Sequence, residues 1–127
     1  MAPPRGAEAY KRIEAESRSP MELVVMLYDG ALRFIGEARA AHAKGDVAAR
    51  GTALGKTINI VAELQNTLNV AEGGTIAQEL DRLYTFATTR LLEVTMKQDA
   101  TALDDVEKVL VTLREGWVQI SSTVPKP

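Results

Sequence analysis

Two short stretches of this 127-residue chain carry side chains of the kind that do chemistry. "GTALGKT", Gly51 to Thr57, holds the glycine, lysine and threonine of a loop that cradles phosphate groups in backbone N–H while the lysine neutralises their charge. Such a loop needs four residues between its glycines and a strand ahead of it. Here three residues separate Gly51 from Gly55, and the run lies inside a helical pattern, so nucleotide binding is not expected and Lys56 reads as a solvated helix residue. The second stretch, "AAHAKGD", contains the sole histidine, His42. A di-iron bundle requires Glu-x-x-His pairs, and no acidic residue stands three positions before His42. The absence of cysteine removes disulfides, thiol nucleophiles and Cys-ligated zinc, and suits a reducing compartment. No nucleophile stands beside a base in a recognisable arrangement, so the reading is a binding protein without metal or cofactor rather than an enzyme.

One alternative stays open for His42, a histidine phosphotransfer four-helix bundle carrying a phosphoryl group on the imidazole. In that motif lysine and glycine follow the histidine at the third and fourth positions, one helical turn on. Here Lys44 and Gly45 come at the second and third, and the helix stops at Gly45. A helix-end imidazole favoured by the C-terminal dipole is the simpler reading.

The elements that must position any site are helical. Alanine, leucine, valine, glutamate, lysine and arginine recur at helical spacing, and there are only six aromatics: Tyr10, Tyr28, Phe34, Tyr84, Phe86 and Trp117. Residues 1–18, with Pro3, Pro4, Gly6 and mixed charges, read as a mobile N-terminal arm whose sizeable apolar groups are Tyr10 and Ile13. Ser19, Pro20 and Glu22 form a capping box with proline at the first helical position, where its missing N–H costs nothing. The first helix then carries two apolar stripes, Leu23, Leu27, Gly30, Phe34, Ala38 and Val24, Tyr28, Ala31, Ile35, His42, and ends at Gly45. Asp46 is placed to cap a second helix with Leu54, Ile58, Val61, Leu64 and Leu68, ending near Asn69. "AEGG" is a break, and a third helix presents Ile76, Leu80, Leu83, Ala87, Leu91 and Val94. A fourth presents Leu103, Val106, Leu110, Leu113, Trp117 and Ile120, with Asp104, Asp105 and Glu107 near the favourable end of its dipole, before the tail "SSTVPKP". Short connections make antiparallel neighbours the default. The expectation is therefore an all-α, up-down-up-down antiparallel four-helix bundle over residues 19–121, with the arm before it and a tail at 122–127.

Seventeen acidic against fifteen basic residues give a formal charge of −2, a field that does not draw nucleic acid. No apolar run approaches the roughly 18 residues of a membrane span and no signal peptide is visible, so membrane insertion is not expected and the reading is cytoplasmic. A bundle helix needs one apolar stripe of a little over 100°. The first helix supplies two, and the second adds Ile60 and Val70 beside its main row. The second also ends in an amide-rich run, "NIVAELQNTLN", where Asn59, Gln65, Asn66 and Asn69 offer uncharged donors and acceptors suited to a partner's backbone. Part of this apolar surface is expected to face a partner.

The run "AYKRIEAESRSPMELVVMLYDGALRFI" resembles the opening of the flagellin chaperones of the FliS family: a tyrosine-bearing arm, a Ser-Pro-x-Glu-Leu helix start, then Leu-Tyr-Asp-Gly-Ala and Phe-Ile. "IVAELQNTLN", "RLLEVTMKQD" and "VEKVLVTLREGW" are similar to later segments of that family, in order, over about residues 9 to 120. Two departures are visible: Lys11 follows Tyr10 where many relatives have an amide, and "EVT" stands where Glu-Ala-Asn is common. The resemblance implies an antiparallel bundle that binds the disordered C-terminal segment of flagellin in the cytoplasm. It would prevent premature polymerisation and hand the subunit to the flagellar type III export machinery, with the export gate as a second contact. On that footing the flagellin-binding surface is expected at Tyr10, Ile13, Asn59, Ile60, Leu64, Leu68 and Asn69, with Arg90, Arg114 and Trp117 beside them. Tyr10 and Ile13 would cover an empty groove. Asp29 should sit at the rim or pair with a nearby base, and Gly30 should allow close helix approach.

Overall fold

Each helix boundary follows from a local cause. The structure, a computed structural model, describes residues 20–68 and 70–123, so the arm, Ser19 of the capping box, Asn69 and residues 124–127 lie outside it. Helix α1 spans Pro20–Ala43, α2 Val47–Asn66, α3 Val70–Lys97 and α4 Thr101–Thr123. Gly45, at φ 70°, ends α1 by a Schellman turn: its N–H donates to the His42 carbonyl and that of Asp46 to the Ala41 carbonyl. Asp46 then opens α2, its carboxylate accepting from the Ala49 N–H at 3.1 Å. α2 closes earlier than the apolar pattern suggests, because the Thr67 hydroxyl donates to the Leu64 carbonyl at 2.6 Å and takes the place of a further helical turn. The break expected at "AEGG" falls at Gly74, whose φ of 59° and ψ of −138° interrupt α3. At the other end, α4 runs on through Ser121–Thr123, residues read from sequence as tail. Nothing before Pro125 opposes the helix, and that proline acts first on residue 124.

The order of the helices around the core follows from the side chains that meet across them. Gly30 lies under Ile60 and His42 against Arg50, so numbers rise along α1 as they fall along α2. Asp29 pairs with Arg114 and Arg39 with Asp104, which sets α4 antiparallel to α1; Arg90 pairs with Asp105, and Ile76 lies near Ile120, which does the same for α3 and α4. Consecutive helices pack on one another and α4 closes on α1. The arrangement is compatible with the expected up-down-up-down bundle.

The core takes chiefly the stripe of α1 that carries Tyr28, joined by Ala38 from the other. Tyr28, Ala31, Ile35 and Ala38 are fully buried, against Leu54, Val61 and Leu64 of α2, Tyr84, Ala87, Leu91 and Val94 of α3, and Leu103, Val106 and Leu110 of α4. Alanines on all four helices let the backbones approach closely, and the absence of a side chain at Gly30 serves the same end: a Cβ there would sit 3.2 Å from Ile60 Cδ1. Arg50, 4% exposed, is the one buried charged side chain among the described residues. Its Nη1 lies 3.1 Å from His42 Nδ1, and its Nε has no hydrogen-bond partner among the described residues. A buried guanidinium without a carboxylate is costly. Replacing it by an apolar side chain of similar length, Arg50→Met, is expected to leave stability unchanged or raise it by about 1 kcal/mol, seen as an equal or higher urea midpoint. A midpoint lowered by more than that amount would show the guanidinium to be favourably held.

Candidate functional site

The bundle is closed at one end and open at the other. Going along α4, Leu103, Val106 and Leu110 are fully buried, Leu113 and Trp117 half-buried, and Ile120 44% exposed. α3 opens in the reverse direction, from buried Leu91 through half-buried Leu83 and Leu80 to Ile76, which is 76% exposed. Ile76 and Ile120, read from sequence as core positions, are thus surface residues. The helical period places them on the core stripe, but both sit on the rim of a hollow between α3 and α4 rather than inside the bundle. In α1 every residue from Met21 to Leu27 is half-buried, so its first turns have no complete core to enter.

A groove of about 450 Å³ lies at this open end. Pro20, Leu23, Val24 and Leu27 of α1 form one wall, Leu64, Thr67 and Leu68 of α2 the other, and Tyr84 and Trp117 its floor. Glu63 is its charged group. A smaller hollow of about 220 Å³ lies between α3 and α4, lined by Ile76, Leu80, Leu113, Gly116 and Ile120, and Trp117 borders both. The floor is held by a hydrogen-bonded chain. Trp117 Nε1 donates to the Tyr28 hydroxyl at 3.1 Å, and that hydroxyl lies 2.5 Å from the hydroxyl of Tyr84. Both tyrosines are fully buried, which satisfies their polar ends while their rings fill the core.

Burial pushes the Tyr28 hydroxyl above the usual tyrosine range, and burial followed by the bond to Tyr28 does the same to Tyr84. A hydroxyl that keeps its proton longer in the folded chain stabilises that chain fully below the ordinary tyrosine value of about 10 and loses this contribution as pH climbs through the folded value. The thermal midpoint is therefore expected to fall when pH is raised from about 9 to about 11, and less steeply in Tyr28→Phe. Equal slopes for the two proteins would remove the tyrosines as the cause.

Of the residues expected at a partner surface, Leu64, Leu68 and Trp117 line the groove. Ile60 is half-buried under Gly30, and Asn59 is exposed one turn before Glu63 on the same row of α2. Gln65, from the same amide run, bridges to Asp81 and Thr85 of α3. Arg90 stands apart, ten residues and about 15 Å along α3 from Leu80, held by Asp105 at 2.8 Å and by Glu93. Arg114 pairs with Asp29 at 2.5 Å across the α1–α4 seam, the base expected for that aspartate. Tyr10, Ile13 and Asn69 lie outside the described residues. Pro20, Leu23, Val24, Leu27, Glu63, Thr67 and Tyr84 were not singled out as site residues from sequence; the visible signal for Leu23, Val24 and Leu27 was that α1 carries two apolar stripes where a bundle helix needs one. His42 is engaged with Arg50, and since a guanidinium only donates, Nδ1 is the acceptor. "GTALGKT" lies wholly within α2, and Lys56 stacks on Phe34, with Nζ 5.2 Å from the ring centroid.

The family model described as flagellar protein FliS matches residues 3–124 of the chain. The chain belongs to the FliS family. The flagellar secretion chaperone FliS of Salmonella typhimurium is 40% identical to it over 121 residues, covering 91% of this chain and 90% of its own length. That of Vibrio cholerae is 33% identical over 117 residues, covering 89% and 86% respectively. FliSB of Pseudomonas aeruginosa is 31% identical over 121 residues, covering 92% and 96%. Membership supports the role of an export chaperone in flagellar secretion, on a helical fold. No helix among the described residues is long and apolar enough to cross a membrane.

Proposed function

We propose that this chain binds the C-terminal segment of flagellin in the cytoplasm, keeps it from polymerising early and holds it competent for type III export, with no catalytic step of its own. The observation that carries the reading is the apolar groove at the open end of the bundle, walled by α1 and α2 and floored by Trp117. A segment that hides its apolar positions only in the filament needs grooves that accept amphipathic helical turns. Tyr10, Ile13 and Asn69 join the binding set in this reading, and Glu63 offers a carboxylate to a cargo N–H or cation at the rim. Folding on binding commonly buries on the order of 1,000–3,000 Å² while roughly 2–5 kcal/mol goes to ordering, so a broad clasp can still let go at the export gate.

The test is a calorimetric titration of the chain with a peptide of the flagellin C-terminal segment. Saturable binding with a negative heat-capacity change is expected, since apolar surface leaves water. No complex at tens of micromolar, roughly −6 kcal/mol, would overturn the reading.

A further inference from the structure

Trp117 borders both the α1/α2 groove and the α3/α4 hollow, so a single indole separates two apolar cups. Its one polar atom is tied to Tyr28, and Tyr28 to Tyr84, both buried without freedom to follow a moving partner. The adjacent Gly116 lines the α3/α4 cup, and a Cβ built there would meet nothing within 4 Å.

Resting on the flagellin reading, we propose that Trp117 is a specificity-determining partition: it splits the cargo surface into two cups that seat two successive apolar turns of one flagellin segment, with the chain crossing over the indole, and Tyr28 and Tyr84 are the positioning residues that hold the ring upright. Because the cups share a wall, the second turn docks at high effective concentration once the first is seated, and two shallow cups act as one site. A cargo with one apolar turn gains half of this, which is how the partition selects.

The experiment uses the full chain, a flagellin C-terminal peptide and the fluorescence of Trp117, the sole tryptophan. Gly116→Leu adds an apolar side chain to the lining of the α3/α4 cup, at a position where a Cβ meets no neighbour, and replaces glycine by a better helix former, so folding is retained. Its affinity for the peptide is expected to fall at least tenfold. Ile76→Asp, at a position 76% exposed on the rim of the same cup, is expected to do likewise and serves if Gly116→Leu misfolds. Tyr28→Phe keeps the ring but removes the hydroxyl that accepts from the indole, so the emission of the free protein should shift to the red and its anisotropy drop while the urea midpoint falls by little. No binding by the parent chain overturns the flagellin reading and the partition with it. Binding by the parent that both cup variants match overturns the partition alone, as does an indole signal unmoved by Tyr28→Phe.

Discussion

Tyr84→Ala is expected to unfold in urea with about 3–5 kcal/mol less stability than the parent. The ring is fully buried between α2 and α4 and also floors the groove, so truncation opens a cavity that the surrounding helices fill only partly. A domain of this size holds roughly 5–15 kcal/mol in all, so the variant sits near the edge of folding. Tyr84→Phe separates the two contributions. It keeps the ring and removes the hydroxyl, while Tyr28 retains its bond from Trp117, and the cost is expected near 1 kcal/mol. Urea midpoints at fixed slope measure both. A loss below about 1 kcal/mol for the alanine variant would mean the core does not depend on this ring.

Leu23→Asp is expected to weaken binding of the flagellin C-terminal segment at least tenfold, about 1.4 kcal/mol, while leaving the thermal midpoint nearly unchanged. Leu23 lines the groove yet is not among the side chains packed on the buried core, so a carboxylate there meets water in the free protein. Once cargo covers the groove, the same charge has no counterpart in an apolar wall. Met96→Asp is the control, since Met96 is 76% exposed near the far end of α3. Calorimetry on the three proteins reads the difference. Equal weakening by both variants would point to a general charge effect rather than to the groove.

Much of the fold was legible because helix signals are local. Gly45 and Asp46 announce a turn by their own backbone needs, and "AEGG" announces an interruption because glycine tolerates a positive φ where other residues do not. The period also located the stripes. It did not say which stripe of α1 would be inside, since Leu23 and Tyr28 are equally apolar to a pattern; that depended on Tyr84 and Trp117 arriving from α3 and α4 to meet the Tyr28 hydroxyl. The same limit applies to Ile76 and Ile120, whose spacing is that of core residues but which remain 76% and 44% exposed. Of the site, Leu64, Leu68 and Trp117 were readable as surplus apolar surface and as family resemblance. Arg90 and Arg114 could not be placed, because an arginine's sequence context does not reveal the carboxylates that Asp105 and Asp29 bring from another helix.

Pro20 lines the groove, whereas the Lys44–Asp46 turn lies past the other end of α1, a helix length of about 36 Å away. A dye or surface tether attached at Pro20 therefore stands in the doorway that a ligand must use. Immobilisation or labelling for kinetic work belongs on the 44–46 hairpin, where the attachment leaves the entrance clear.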